Sequence, residues 1–153
     1  MQANGYKMAI QKIGVIGAGQ TGNGIAHVCA VAGFDVGLND LSPAQIESGL
    51  ATINGNLERQ ARSGKLTDDE RSAALDRIVA VESLEGFADY DLVIESASEI
   101  EEVKRKIFSE LCPLLDERTI IGSNTSSISI TRLAASTDRP ERFMGIHVMN
   151  PVP

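Results

Sequence analysis

Residues 12–32, KIGVIGAGQTGNGIAHVCAVA, decide the fold. The stretch opens with a short apolar run, Ile13, Val15 and Ile16, that reads as a buried strand. It passes through Gly17, Gly19 and Gly22, with a fourth glycine at Gly24. It closes on an apolar helical pattern of Ile25, Ala26, Val28, Cys29, Val31 and Ala32. Strand, glycine turn and helix in that order form the G-x-G-x-x-G fingerprint of dinucleotide binding. The first glycine permits the tight turn, the second lets the backbone approach a pyrophosphate, and the third lets the helix pack against the strand. The helix then presents free N–H groups and its positive dipole end to the phosphates. Glycines recur in ordinary turns, so the motif needs a second test: an acidic residue closing the next strand, about 20 residues on. Phe34, Val36 and Leu38 alternate as a strand should, and the run ends at Asp40.

Working outward, 153 residues suit one domain with a core of its own. A hydrophobic content of 42% argues against general disorder. The net charge of −7, with no basic block to offset it, argues against a nucleic-acid partner. No apolar run approaches a membrane span. The N-terminal MQANGYK lacks the apolar core of a signal peptide, and Met8 offers an alternative start. Residues 1–7 are therefore expected to be a disordered extension, with the folded domain over residues 8–153. Cys29 and Cys112 sit among apolar helix residues and read as reduced core thiols rather than a disulfide or metal pair, so no metal site is expected. The combined expectation is a cytoplasmic protein.

Beyond Asp40, Ser42-Pro43 is a helix start, with serine as N-cap and proline at the first helical position. Ile46, Leu50, Ile53 and Leu57 carry the helix to about Arg62, and Ser63-Gly64 stops it. Thr67 through Glu70 form a capping box that opens a second helix through Leu75. This hairpin is inserted relative to the usual crossover. Its polar face of Asn56, Arg59, Arg62 and Lys65 reads either as solvated surface or as a contact for a charged ligand. Further strands are expected over 78–81, 91–95, 119–123 and 143–148, the last ending around His147. Helices are expected over 100–115, ended or kinked by Pro113, and over 128–134. Alternating strands and helices imply a Rossmann-like α/β fold with a doubly wound, mainly parallel sheet.

Ligands of such sheets bind beyond the carboxyl ends of the strands. Polar residues gather at each of those ends: the glycine turn, Asp40, residues 96–99, residues 124–127 and residues 147–150.

GAGQTGNGIA, VIESASE followed by EVKRKIF, SNTSSISIT and GIHVMNPVP together resemble the 3-hydroxyacyl-CoA dehydrogenase family, in particular its bacterial 3-hydroxybutyryl-CoA type. The resemblance runs from Met8 to Pro153. It implies NAD as cofactor and an acyl-CoA as substrate. Gly17, Ala18, Gly19, Gln20, Thr21 and Gly22 would line the pyrophosphate, and Asp40 would hold the adenosine ribose. Glu99 and Lys104 would lie near the cofactor. Ser126 would contact both cofactor and substrate. His147 would be the general base, and Asn150 would position the acyl-CoA, as would Asn56 on the hairpin. Those residue types suit the chemistry. An imidazole exchanges protons near neutral pH, and a hydroxyl and an amide can hold a developing alkoxide.

The family has methionine where Thr21 stands. It also continues, past the position of Pro153, with a helical domain that supplies dimer contacts, the rest of the acyl pocket and a glutamate orienting the histidine. The chain taken alone is therefore expected to bind NAD(H) but to turn over acyl-CoA poorly, and a homodimer is expected where the helical domain follows. The alternative is an NAD-binding module without catalysis.

Overall fold

The computed structural model describes residues 10–153. The expectation for residues 1–7 lies outside the described residues. Among the described residues, six strands form one parallel sheet: β1 (Lys12–Ile16), β2 (Asp35–Asn39), β3 (Ile78–Ala80), β4 (Leu92–Glu95), β5 (Ile120–Ser123) and β6 (Phe143–Gly145), in the order β3-β2-β1-β4-β5-β6. The order reverses between β1 and β4, which marks the crevice of a doubly wound sheet. The expected Rossmann-like topology is the one observed.

The strands are buried on both sides, and their period of two divides the core into two layers. Ile13, Val15, Val36, Leu38, Leu92 and Ile94 point to one layer, where Ile25, Ala26 and Ala30 of α1 (Gln20–Val31) meet Ile53 and Leu57 of α2 (Pro43–Arg62). Ala74 of α3 (Asp68–Asp76) completes that layer. Ile16, Val93 and Ile121 point to the other, against Phe108 and Leu111 of α4 (Glu101–Leu111) and Leu133 of α5 (Ile130–Ala135). Phe87, in a short turn after β3, fills the space beside Tyr90 with their rings edge to face.

The hairpin follows its sequence signals closely. α2 spans the expected residues, and α3 opens with a full capping box: Glu70 N–H donates to the Thr67 hydroxyl and Thr67 N–H to the Glu70 carboxylate. Ser42 differs. It occupies the N-cap position, but its side chain makes no cap bond; its carbonyl receives the N–H groups of Gln45 and Ile46, and its own N–H goes to Asp40. α4 is shorter than expected, because the chain tightens into a 3₁₀ turn over Cys112–Leu114 around Pro113. Cys112 is buried and Cys29 half-buried, both as free thiols, and burial pushes each up to about 11.

The sixth strand is the main departure. β6 ends at Gly145 rather than near His147. Ile146 N–H still reaches the Ser123 carbonyl, but Val148 N–H turns to the Asn124 side chain, and the segment leaves the ladder.

Phe108 joins α4 to β6: it is fully buried and meets Phe143 edge to face at 5.1 Å between centroids. Phe108→Ala should cost about 3–5 kcal/mol of unfolding free energy, measured by urea denaturation.

Candidate functional site

The glycine turn sets the geometry. Gly17 has φ of 104°, a conformation that favours glycine, and a Cβ there would stand 2.3 Å from the Ser96 carbonyl oxygen. A Cβ on Gly22 would stand 1.7 Å from the Gly17 carbonyl oxygen, so α1 can lie this close to β1 only without a side chain. Gly19 is different in kind: a Cβ there would meet nothing within 4 Å. Its bare face opens on a cavity of about 540 Å³ at the carboxyl ends of β1, β4 and β5. No acidic residue stands in the first turn of α1, and its N-cap is glycine. The first N–H groups of that helix have no partner inside it, and its dipole favours an anion. Those residues fit a dinucleotide pyrophosphate.

The same cavity gathers Gln20, Thr21, Glu99, Lys104, Ser126, His147 and Asn150, which lie far apart in sequence. Asp40 stands in a neighbouring cleft of about 570 Å³, with Gly19, Ser96 and Ala97 at the shared rim. Both its carboxylate oxygens are anchored, one by Ala18 N–H at 3.0 Å and the other by Ser42 N–H at 3.1 Å. Ala18 thus spends its N–H on Asp40 and is buried, and Gly22 is buried too; both shape the turn rather than line a cavity.

Glu99 is held by its neighbours. Thr125 and Ser126 donate their hydroxyls to it at 2.6 and 3.0 Å, and Ser126 adds its N–H at 2.8 Å. Burial pushes the carboxyl up, but those hydrogen bonds and the Lys104 charge outweigh burial and hold it at about 2. An ionised carboxylate only accepts, so the Ser126 hydroxyl proton points to Glu99, and its lone pairs remain for the cavity.

The C-terminal segment closes the far wall. Asn150 donates its amide to the Thr21 hydroxyl at 2.9 Å. Asn124 receives Val148 N–H and donates to Ser96. His147 is exposed, and among the described residues its ring has no hydrogen bond. Beside this wall lies a third cavity of about 590 Å³, lined by Asn56, Arg59 and Lys65 together with Asn150. Arg59 donates to Asn56, whereas Arg62 turns away to pair with Glu58.

Sequence reasoning missed Glu95. It lies fully buried beneath the cavity, ion-paired to Lys104 at 2.7 Å. The signal was present: a carboxylate in the apolar run Leu92-Val93-Ile94 needs a buried partner. It missed His27 as well, buried on α1 and hydrogen-bonded to Gln60 at 2.9 Å.

The chain is similar to known proteins in sequence and in fold. The family profile described as 3-hydroxyacyl-CoA dehydrogenase, NAD binding domain, matches residues 12–153. A 3-hydroxybutyryl-CoA dehydrogenase of Bradyrhizobium diazoefficiens is 66% identical over 144 residues, covering 94% of this chain and 49% of that protein. Among solved structures, (S)-3-hydroxybutyryl-CoA dehydrogenase PaaH1 from Ralstonia eutropha superposes with a TM-score of 0.91 at 45% identity, over 94% of this chain and 51% of that one. FadB2 of M. tuberculosis gives a TM-score of 0.90 at 44% identity with the same coverage. The chain spans about half the length of the curated relatives it matches.

The two glycines should separate in experiment. Gly22→Ala should cost ~2 kcal/mol or more by thermal unfolding. Gly19→Ala should leave stability within ~1 kcal/mol and instead weaken NADH binding in a fluorescence titration. Glu99 should make stability acid-sensitive. Its carboxyl lies below its ordinary 4.5, so its contribution is complete above that value and is lost as pH falls toward about 2. Glu99→Gln should therefore destabilise more at about pH 6 than at about pH 3 in urea titrations.

Proposed function

We propose, since the chain belongs to the 3-hydroxyacyl-CoA dehydrogenase family as its NAD binding domain, that it serves an NAD-dependent oxidation of 3-hydroxyacyl-CoA, of the 3-hydroxybutyryl-CoA type. The observation that carries this reading is the convergence of His147, Ser126, Asn150 and Glu99 on one cavity with the uncapped start of α1. A bound NAD supplies the acceptor for the hydride leaving C3 of the substrate. The residues of the chain do the rest. His147 takes the proton of the 3-hydroxyl through an imidazole nitrogen. Ser126, its hydroxyl and N–H held by Glu99, contacts that oxygen and the cofactor. Asn150, fixed by Thr21, positions the acyl group. The methionine-to-threonine departure thus places a hydrogen-bonding group against Asn150.

Gly17, Gly19, Gln20 and Thr21 would hold the pyrophosphate, with Ala18 and Gly22 shaping the turn, and Lys104 would contact the cofactor. Asp40 keeps lone pairs for the adenosine ribose and repels a 2′-phosphate. Asn56, Arg59 and Lys65 receive the phosphates of the CoA. Among the described residues no helix is long and apolar enough to cross a membrane. We place the activity in the cytoplasm, in a homodimer where the family's helical domain is present.

A second reading, an NAD-binding module without turnover, is favoured by the unheld ring of His147. Oxidation of NADH by acetoacetyl-CoA separates the two: turnover sustains the dehydrogenase, and NADH binding without turnover in a chain extended through the helical domain sustains the module. In that extended chain, His147→Gln should lower turnover about a hundredfold or more with NADH binding unchanged. NADPH should bind more weakly than NADH, and equal affinity would overturn the role given to Asp40.

A further inference from the structure

Glu95, the buried partner of Lys104 beneath the cavity, has no part in the chemistry above. Glu95 closes β4 with its side chain 0% exposed, and Lys104 of α4 meets it with 2% exposed. Lys104 Nζ donates to both carboxylate oxygens, at 2.9 and 2.7 Å. The Ser123 hydroxyl donates to one oxygen at 2.6 Å and Ala97 N–H to the other at 2.7 Å. Four hydrogen bonds thus occupy the carboxylate.

The ammonium is less fully used. It has three N–H donors and spends two on Glu95. The next carboxylate, Glu99, stands at 3.6 Å, too far for a hydrogen bond. Lys104 also lines the cavity. Glu95 aligns with Ile16 of β1 and Ser123 of β5, so it sits where the strand order reverses and a ligand is expected. Burying two charges carries a desolvation cost, and an apolar pair would fill this space without it.

We propose that Glu95 is a positioning residue for the cofactor: it aims the Lys104 ammonium so that its third N–H meets a ribose hydroxyl oxygen at the nicotinamide end of NAD(H). This rests on the reading of Lys104 as a cofactor contact. It differs from a purely structural role, in which Glu95 only ties β4 to β5 and α4. Glutamine keeps the size and the acceptor of Glu95 but not the charge. Aspartate keeps the charge one methylene short. Aiming an ammonium favours aspartate, whereas filling a shape favours glutamine.

The test is NADH affinity by fluorescence titration, with folding checked by circular dichroism. Lys104→Met should weaken NADH binding about tenfold or more, the loss of a charge-assisted hydrogen bond. Glu95→Gln should approach the same loss, and Glu95→Asp should lose less. Glu95→Gln/Lys104→Met should bind no more weakly than Lys104→Met alone. That double variant buries no net charge, which keeps the comparison open where Glu95→Gln alone fails to fold. Binding by Glu95→Gln at least as tight as by Glu95→Asp overturns the inference, as does a double variant weaker than Lys104→Met. Unchanged binding by Lys104→Met overturns the cofactor contact itself, and the inference with it.

Discussion

The start of α1 lies against the end of β1 with no room for a side chain between them. That contact, Gly22 on the carbonyl of Gly17, fixes where the first turn of the helix points. The direction of the turn fixes what fills the crevice. An uncapped helix start needs an anion, and the open face of Gly19 gives the anion access to the backbone. Asp40, through Ala18 N–H, ties the end of β2 to the same turn. The carboxylate proposed to hold a ribose is thus also a strut of the glycine turn.

The polar residues at the other strand ends follow a second rule: each charge that enters the crevice is held by neighbours before any ligand arrives. Glu99 is surrounded by donors from the loop after β5, and Glu95 by donors from three directions. Such prepositioning avoids reorganisation during reaction. His147 stands apart from the rule, exposed and without a hydrogen bond among the described residues.

The legibility of the sequence tracked the range of the interaction. Glycine spacing, Ser42-Pro43, Ser63-Gly64 and the capping box of Thr67 and Glu70 are local signals, and the elements they mark appear at or near the expected residues. The parallel, doubly wound sheet followed from the alternation of strands and helices. Ser42 shows the limit of local reasoning: its position was right, but its backbone carbonyl, not its side chain, accepts the helix N–H groups. Residues 146–148 show it again, because alternation along Phe143 to Val148 cannot reveal that Asn124 captures Val148 N–H. The convergence of Glu99, Ser126, His147 and Asn150 was legible only through the rule that strand ends share one edge, and through resemblance. Glu95 with Lys104 was invisible to periodicity, because the pairing joins a strand to a helix nine positions on.

The sheet's outer strands carry one further consequence. β3 and β6 are each three residues long, and both border the sheet. A long, flat, exposed edge templates the strand of another chain, and short edges are a common natural defence. Here the longer strands lie inside and the shortest outside. The crevice gains a rigid floor, while a passing chain finds only a brief ladder on either side to copy.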